Sequence, residues 1–125
     1  EMIATVVSSH NHCLYCITSH SQAVREFSGD PVLGDILMTN YRDANLSKKH
    51  RTMLDYAWKL TATPWLVGDG DRDALRKAGF SDEDIFDVSD TTAYFNYTNR
   101  MTGGLGMLPN EEYFGMHRLA PPAKK

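Results

Sequence analysis

The sequence predicts an all-α fold, and three observations carry that prediction. Apolar residues recur at spacings of three and four along most of the chain. No segment shows period-two alternation bounded by hairpin turns. Helix-starting and helix-ending residues recur at short intervals, which leaves room for five or six helices with short connections. A chain of 125 residues with 42% hydrophobic residues suits one domain with its own core.

The elements follow in order. Met2 to Ser9 reads as the end of a helix, with Ile3, Val6 and Val7 on one face. The chain opens on Glu1 and not on Met, so something upstream is expected to be missing. Asn11 and His12 make a short break. A second helix runs from about Cys13 to Phe27, with Cys13, Cys16, Ile17, His20, Ala23, Val24 and Phe27 as its inward stripe, and Gly29 ends it. Asp30 caps a short helix with Pro31 at its first position, running to about Thr39. Ser47 caps a longer helix that stops before Pro64, with Leu46, His50, Met53, Leu54, Ala57, Trp58 and Thr61 on its stripe.

A polar loop is expected over Gly68 to Asp71, then a short helix to Ala78 closed by Gly79. Ser81 to Asp84 resembles a capping box and opens the longest helix, to about Met101, before Gly103, Gly104 and Gly106. One domain is expected over residues 1–118, with a frayed tail at 119–125.

Charge narrows the function. The net charge is -3 with both signs interspersed, which disfavours nucleic acid and anionic membrane surfaces as partners. No apolar run approaches the roughly 20 residues of a membrane span. No signal peptide is seen, and a cytoplasmic location is expected.

The two cysteines, Cys13 and Cys16, lie three apart. A bridge closing so short a loop constrains the unfolded chain little, so the pair reads as redox chemistry or part of a metal site. Cys13, Cys16 and His20 share one helical stripe, with Cys16 and His20 one turn apart. The start of a helix favours a thiolate. An imidazole in reach of a thiol can take its proton, so His20 is expected to lower the Cys16 pKa against the opposing effect of burial. A second thiol can close a disulfide once the first is oxidised. A carboxylate that orients the imidazole completes a relay, and Glu1 on the preceding helix is the candidate.

Glu1, eleven residues, Cys13, two residues, Cys16, three residues and His20 match the E-x11-C-x2-C-x3-H signature of AhpD-like alkylhydroperoxidases. Three further blocks resemble the peroxidase-related branch of the carboxymuconolactone decarboxylase/alkylhydroperoxidase superfamily. They are Leu46-Ser47 with Met53 to Thr61, Leu75 to Asp82 with Asp84-Ile85, and Ala93 to Asn96 with Asn99-Arg100 and Gly104 to Gly106. The resemblance implies an all-helical subunit that forms trimers or hexamers, with a further helical segment upstream of Glu1. It implies that Cys16 attacks a peroxide, that Cys13 resolves it, and that Glu1 and His20 relay the proton. It also implies a thiol reductant, a dithiol or a thioredoxin-like protein. The best-known members carry a histidine between the two cysteines, and here that position is Tyr15. A phenol with a pKa of about 10 is a poor base near neutrality. No cofactor-binding residue is assigned.

Other readings stay open at this point. His10, His12, Cys13, Cys16 and His20 could hold zinc, although structural sites usually join separated segments. The same residues could serve a non-catalytic redox-sensing or metal-binding module, or the chain could be a structural oligomerisation subunit. Asn96 and Asn99 read as helix-to-helix hydrogen bonds, His50 as packing or a subunit contact, and Tyr94, Phe95 and Tyr97 as core or interface. A thioredoxin fold is disfavoured, because no strand precedes Cys13-Leu14-Tyr15-Cys16.

Overall fold

The computed structural model describes residues 1–119, and the expected tail beyond Leu119 lies outside the described residues. Six α-helices carry the described residues: α1 (Met2–His10), α2 (Leu14–Ser28), α3 (Leu33–Asn40), α4 (Lys48–Ala62), α5 (Asp69–Lys77) and α6 (Asp82–Gly104). Short 3-10 turns lie at Tyr41–Asp43, Pro64–Leu66 and Glu111–Phe114. No strand occurs among the described residues.

The helix boundaries follow from their caps. Ser47 Oγ accepts the His50 N–H at 3.1 Å and starts α4. Ser81 and Asp84 exchange bonds of 3.1 and 2.8 Å in a reciprocal box that starts α6. Gly29, at φ 70°, ends α2 in the left-handed conformation. Asp30 does cap the Pro31 turn, its Oδ1 accepting the Val32 N–H at 2.8 Å, but regular helix begins at Leu33.

Two further boundaries differ from the sequence reading. The loop expected at Gly68 to Asp71 is the first turn of α5, because Asp71 Oδ2 accepts the Gly68 N–H at 2.9 Å and so acts as a cap from inside the helix. The last helix runs on through Gly103 and Gly104.

Helix α1 is the hub. It packs against α2, α3, α4 and α6, and Ala4, Thr5, Val6, Val7 and Ser8 are wholly buried. The core gathers Ile3, Val6 and Val7 with Val24, Leu37, Leu54, Ala57, Leu75, Ile85 and Val88. The polar members that α1 contributes are partnered, as Thr5 Oγ1 donates to the Glu1 carbonyl at 3.0 Å and Ser8 Oγ accepts from Asn99 at 2.9 Å.

Helices α2 and α3 cross closely at Gly34, where a Cβ would stand 2.5 Å from the Ser21 carbonyl oxygen. Phe27, expected on the inward stripe of α2, is 78% exposed instead. The stripe drifts as it climbs, and Arg25 is the buried residue of that turn.

Candidate active site

A three-residue link folds α1 back against α2. Asn11 ends α1, with its N–H on the Val7 carbonyl. His12 takes φ 55°, a left-handed conformation that histidine tolerates better than most residues. Cys13 is then the N-cap of α2, its N–H on the Ser8 carbonyl at 3.0 Å and its carbonyl accepting the Ile17 N–H at 2.8 Å. Cys16 falls in the first turn. Both sulfurs are buried and unbridged.

Both thiols meet one hydroxyl. Thr102 Oγ1, on α6, lies 3.0 Å from Cys13 Sγ and 3.4 Å from Cys16 Sγ. The sequence reading missed Thr102. The available signal is a polar stripe on α6, Thr92, Asn96, Asn99 and Thr102, at spacings of four and three. That stripe reads as a solvent face, yet Thr92, Asn99 and Thr102 are buried while Tyr94, Tyr97 and Leu105 are exposed. The second half of α6 therefore turns its polar side inward.

That inward face holds the α1–α2 link. Asn11 Nδ2 donates to Asn96 Oδ1 at 2.9 Å and to Asn99 Oδ1 at 3.0 Å. Asn99 Nδ2 donates to Ser8 Oγ, and Asn96 Nδ2 to Thr61 Oγ1 on α4. The helix-to-helix bonds expected of Asn96 and Asn99 are thus present. A chain of side-chain amides pins the turn that presents the dithiol.

Glu1 and His20 come together as well. His20 Nδ1 lies 2.7 Å from Glu1 Oε2, and the His20 ring meets Phe95 edge to face at 4.8 Å. The hydrogen bond from His20 holds the Glu1 carboxyl below its ordinary range, against the opposing pull of burial. A carboxylate on Nδ1 fixes the ring and leaves Nε2 for proton transfer.

One expectation is overturned. The spacing predicts a Cys16 thiol with a lowered pKa, with His20 as the main cause. Burial instead pushes the Cys16 thiol up, and the neighbouring Cys13 thiol adds to it. The Thr102 hydroxyl and the Asn99 amide pull the other way, and His20 is not among the groups acting on it. Among the described residues neither sulfur is hydrogen-bonded to an imidazole; their shared partner is Thr102.

The remaining candidates fall outside this cluster. Tyr15 is half-buried at the start of α2. His10 packs edge-on to Trp58 at 4.6 Å, and His12 is exposed with Nδ1 near the His10 carbonyl. Among the described residues no group of three or more His, Cys, Asp or Glu side chains is placed to hold a metal ion. His50, read on the α4 stripe as packing or a subunit contact, is exposed on the wall of a cleft of about 370 Å³ that also takes in Glu1, Met2, Val24 and Leu46. The cysteines do not line that cleft.

Two solved structures share this fold. An uncharacterized peroxidase-related protein from Silicibacter sp. TM1040 superposes with a TM-score of 0.92 at 49% identity, over 94% of this chain and 61% of that one. An uncharacterized peroxidase-related protein from Ralstonia eutropha JMP134, described as an alkylhydroperoxidase AhpD core, superposes with a TM-score of 0.92 at 38% identity, over 96% of this chain and 63% of that one. The chain thus spans about three fifths of the length of these relatives. No protein-family model matches the chain, and no curated protein is significantly similar to it. The fold is AhpD-like, and the likeness at the level of a broad family is to peroxidase-related proteins. No helix among the described residues is long and apolar enough to cross a membrane.

Proposed function

We propose that this chain is a thiol-dependent peroxidase of the carboxymuconolactone decarboxylase/alkylhydroperoxidase superfamily, working through a Cys13–Cys16 dithiol cycle. The observation that carries this reading is the convergence of the two sulfurs on one buried hydroxyl, one helical turn from a Glu1–His20 pair. The similarity to peroxidase-related proteins supports it.

The cycle balances as follows. Cys16 loses its thiol proton, and the thiolate attacks the terminal oxygen of a peroxide ROOH. The O–O bond breaks, an alcohol ROH leaves with the proton returned from His20, and Cys16 becomes a sulfenic acid. Cys13 attacks the Cys16 sulfur, forming the disulfide and releasing water. A dithiol or thioredoxin-like reductant then exchanges with the disulfide and restores both thiols. His20 carries the proton, and Glu1 holds its ring and balances the charge on the imidazolium. Burial keeps the sulfenic acid away from bulk water until Cys13 reaches it.

The active species is proposed to be a homo-oligomer, a trimer or hexamer. Tyr94, Tyr97, Met101 and Leu105 make an exposed apolar stripe along α6, which supports a covered face. The test is peroxide consumption by the protein with a panel of dithiol and thioredoxin-like reductants. Turnover that stops in both Cys16→Ser and Cys13→Ser is expected. After one equivalent of peroxide, mass spectrometry should find the Cys13–Cys16 pair lighter by two hydrogens. Sulfinic acid on Cys16 beside a free Cys13 thiol would overturn the resolving role, and absence of turnover with every reductant would overturn the enzyme.

A further inference from the structure

We propose that Thr102 is a working member of the dithiol site: its hydroxyl accepts from both thiols at rest and turns to donate to the Cys16 thiolate when that sulfur ionises. The purpose rests on the peroxidase reading, but the proton chemistry is testable without peroxide.

The geometry leads there. A threonine hydroxyl has one proton and two acceptor sites. Thr102 Oγ1 lies 3.0 Å from the Thr98 carbonyl oxygen and 3.1 Å from that of Asn99, so at rest its proton points along its own helix. Its lone pairs then face Cys13 Sγ at 3.0 Å and Cys16 Sγ at 3.4 Å, and both S–H groups donate to it. When Cys16 loses its proton, rotation about the Cβ–Oγ1 bond alone moves the Thr102 proton from the carbonyls to the sulfur. Neither carbonyl is orphaned by this, because each still accepts an intrahelical N–H in α6.

The thiolate needs this donor. Cys16 is 2% exposed and Thr102 is 9% exposed, so little water reaches the pair. A buried anion without a donor is strongly disfavoured. Of the titratable and charged groups on the surrounding elements, Cys13 caps α2, Tyr15 and His20 lie on its first half, Glu1 and His10 stand at the two ends of α1, His12 is in the link and Arg100 lies on α6. The others are Arg25 and Glu26 at the far end of α2 and Asp82, Glu83, Asp84, Asp87, Asp90, Tyr94 and Tyr97 earlier on α6. His20 is committed through Nδ1 to Glu1, His10 packs on Trp58, and Arg100 donates to Asn96 on its own helix. Burial and Cys13 raise the Cys16 thiol, while Thr102 is the first of the groups that lower it and Asn99 the second. Among the described residues Thr102 is the one whose hydroxyl is hydrogen-bonded to both sulfurs.

The test reads the pH dependence of Cys16 alkylation by iodoacetamide in the reduced full chain, by mass spectrometry of the Cys16 peptide. Thr102→Val keeps the shape and removes the hydroxyl. Its alkylation midpoint is expected to rise by about one to two pH units, the size of a hydrogen bond to a charged group. Thr102→Ala should behave alike, and Thr102→Ser, which keeps the hydroxyl, should stay within a few tenths of a unit of the parent. A folded Thr102→Val or Thr102→Ala with an unmoved midpoint overturns the proposal. So does a Thr102→Ser shift as large as that of Thr102→Val. Failure of both hydroxyl-free variants to fold while Thr102→Ser folds makes the bond structural and overturns it too. A moved midpoint in a chain that never consumes peroxide would sink the peroxidase and leave the thiolate donor standing; turnover with an unmoved midpoint does the reverse.

Discussion

At the N-terminal end of α2, Cys13 and Cys16 are buried against a neutral hydroxyl. At the C-terminal end of the same helix, Arg25 is 2% exposed and carries a permanent charge. Its Nε donates to the Met116 carbonyl at 2.9 Å and its Nη2 to the Tyr113 carbonyl at 3.3 Å. Asp35 stands 3.5 Å from Nη1 and is shared with Arg118 at 2.7 Å. One end buries groups whose charge can come and go, with partners that both donate and accept. The other buries a charge that never leaves, held by carbonyls and a carboxylate that only accept. The first arrangement suits a reaction, and the second fastens the segment after α6 onto α2 and α3.

The comparison breaks apart under substitution, and the largest effect is expected at the sulfurs. Cys16→Ser should lower peroxide turnover at least about a thousandfold, because a nucleophile has no substitute. Its thermal unfolding midpoint should stay close to that of the parent. A variant that unfolds early would place Cys16 with the structural end of the helix.

His20→Ala should slow turnover by about a hundredfold at neutral pH, the usual worth of a positioned acid–base group. It should move the Cys16 alkylation midpoint less than Thr102→Val does, since His20 bonds Glu1 and not the sulfur. Equal shifts in the two variants would merge the relay with the thiolate donor.

At the other end the effect is on stability. Arg25→Met leaves the Met116 and Tyr113 carbonyls without their donor and should cost about 2 kcal/mol in denaturant unfolding. The cost stays moderate because Asp35 keeps Arg118. Activity per folded molecule should not change, and a loss of it would show that the two ends are coupled. Gly34→Ala tests the same region more gently. The added methyl meets the Ser21 carbonyl oxygen and should cost about 1–2 kcal/mol.

The smallest effect concerns Glu1 and pH. Its folded carboxyl pKa lies below its ordinary value of about 4.3. The unfolded state therefore binds more protons in the acid range. The pair's contribution is present above that value and is lost as pH falls through the lower folded one. The Glu1 side chain is 34% exposed, so solvent screening limits the contribution to a few tenths of a kcal/mol. Melts at about pH 6 and about pH 3 should differ slightly more for the parent than for Glu1→Gln. A larger difference in Glu1→Gln would reverse the sign.

By itself the sequence determined what short spacings encode. The all-α class, the caps at Ser47 and Ser81 and the stop at Gly29 depend on residues within about one helical turn of each other, and those relations survive any packing. The Cys13–Cys16–His20 stripe was legible for a similar reason; Glu1, 19 residues from His20, was legible only through the break at Asn11 and His12, which lets α1 fold back onto α2. Tertiary structure decided the rest. Thr102 is 86 residues from Cys16, and its stripe with Asn96 and Asn99 looks like a water-facing side until α1 and α2 cover it. Phe27 reads as core until Gly34 brings α3 close and Arg25 takes the buried place. The expected direction of the Cys16 shift failed for a similar reason. Spacing shows that His20 is near, but only packing shows which groups reach the sulfur, and there burial outweighs the donors, Thr102 and Asn99.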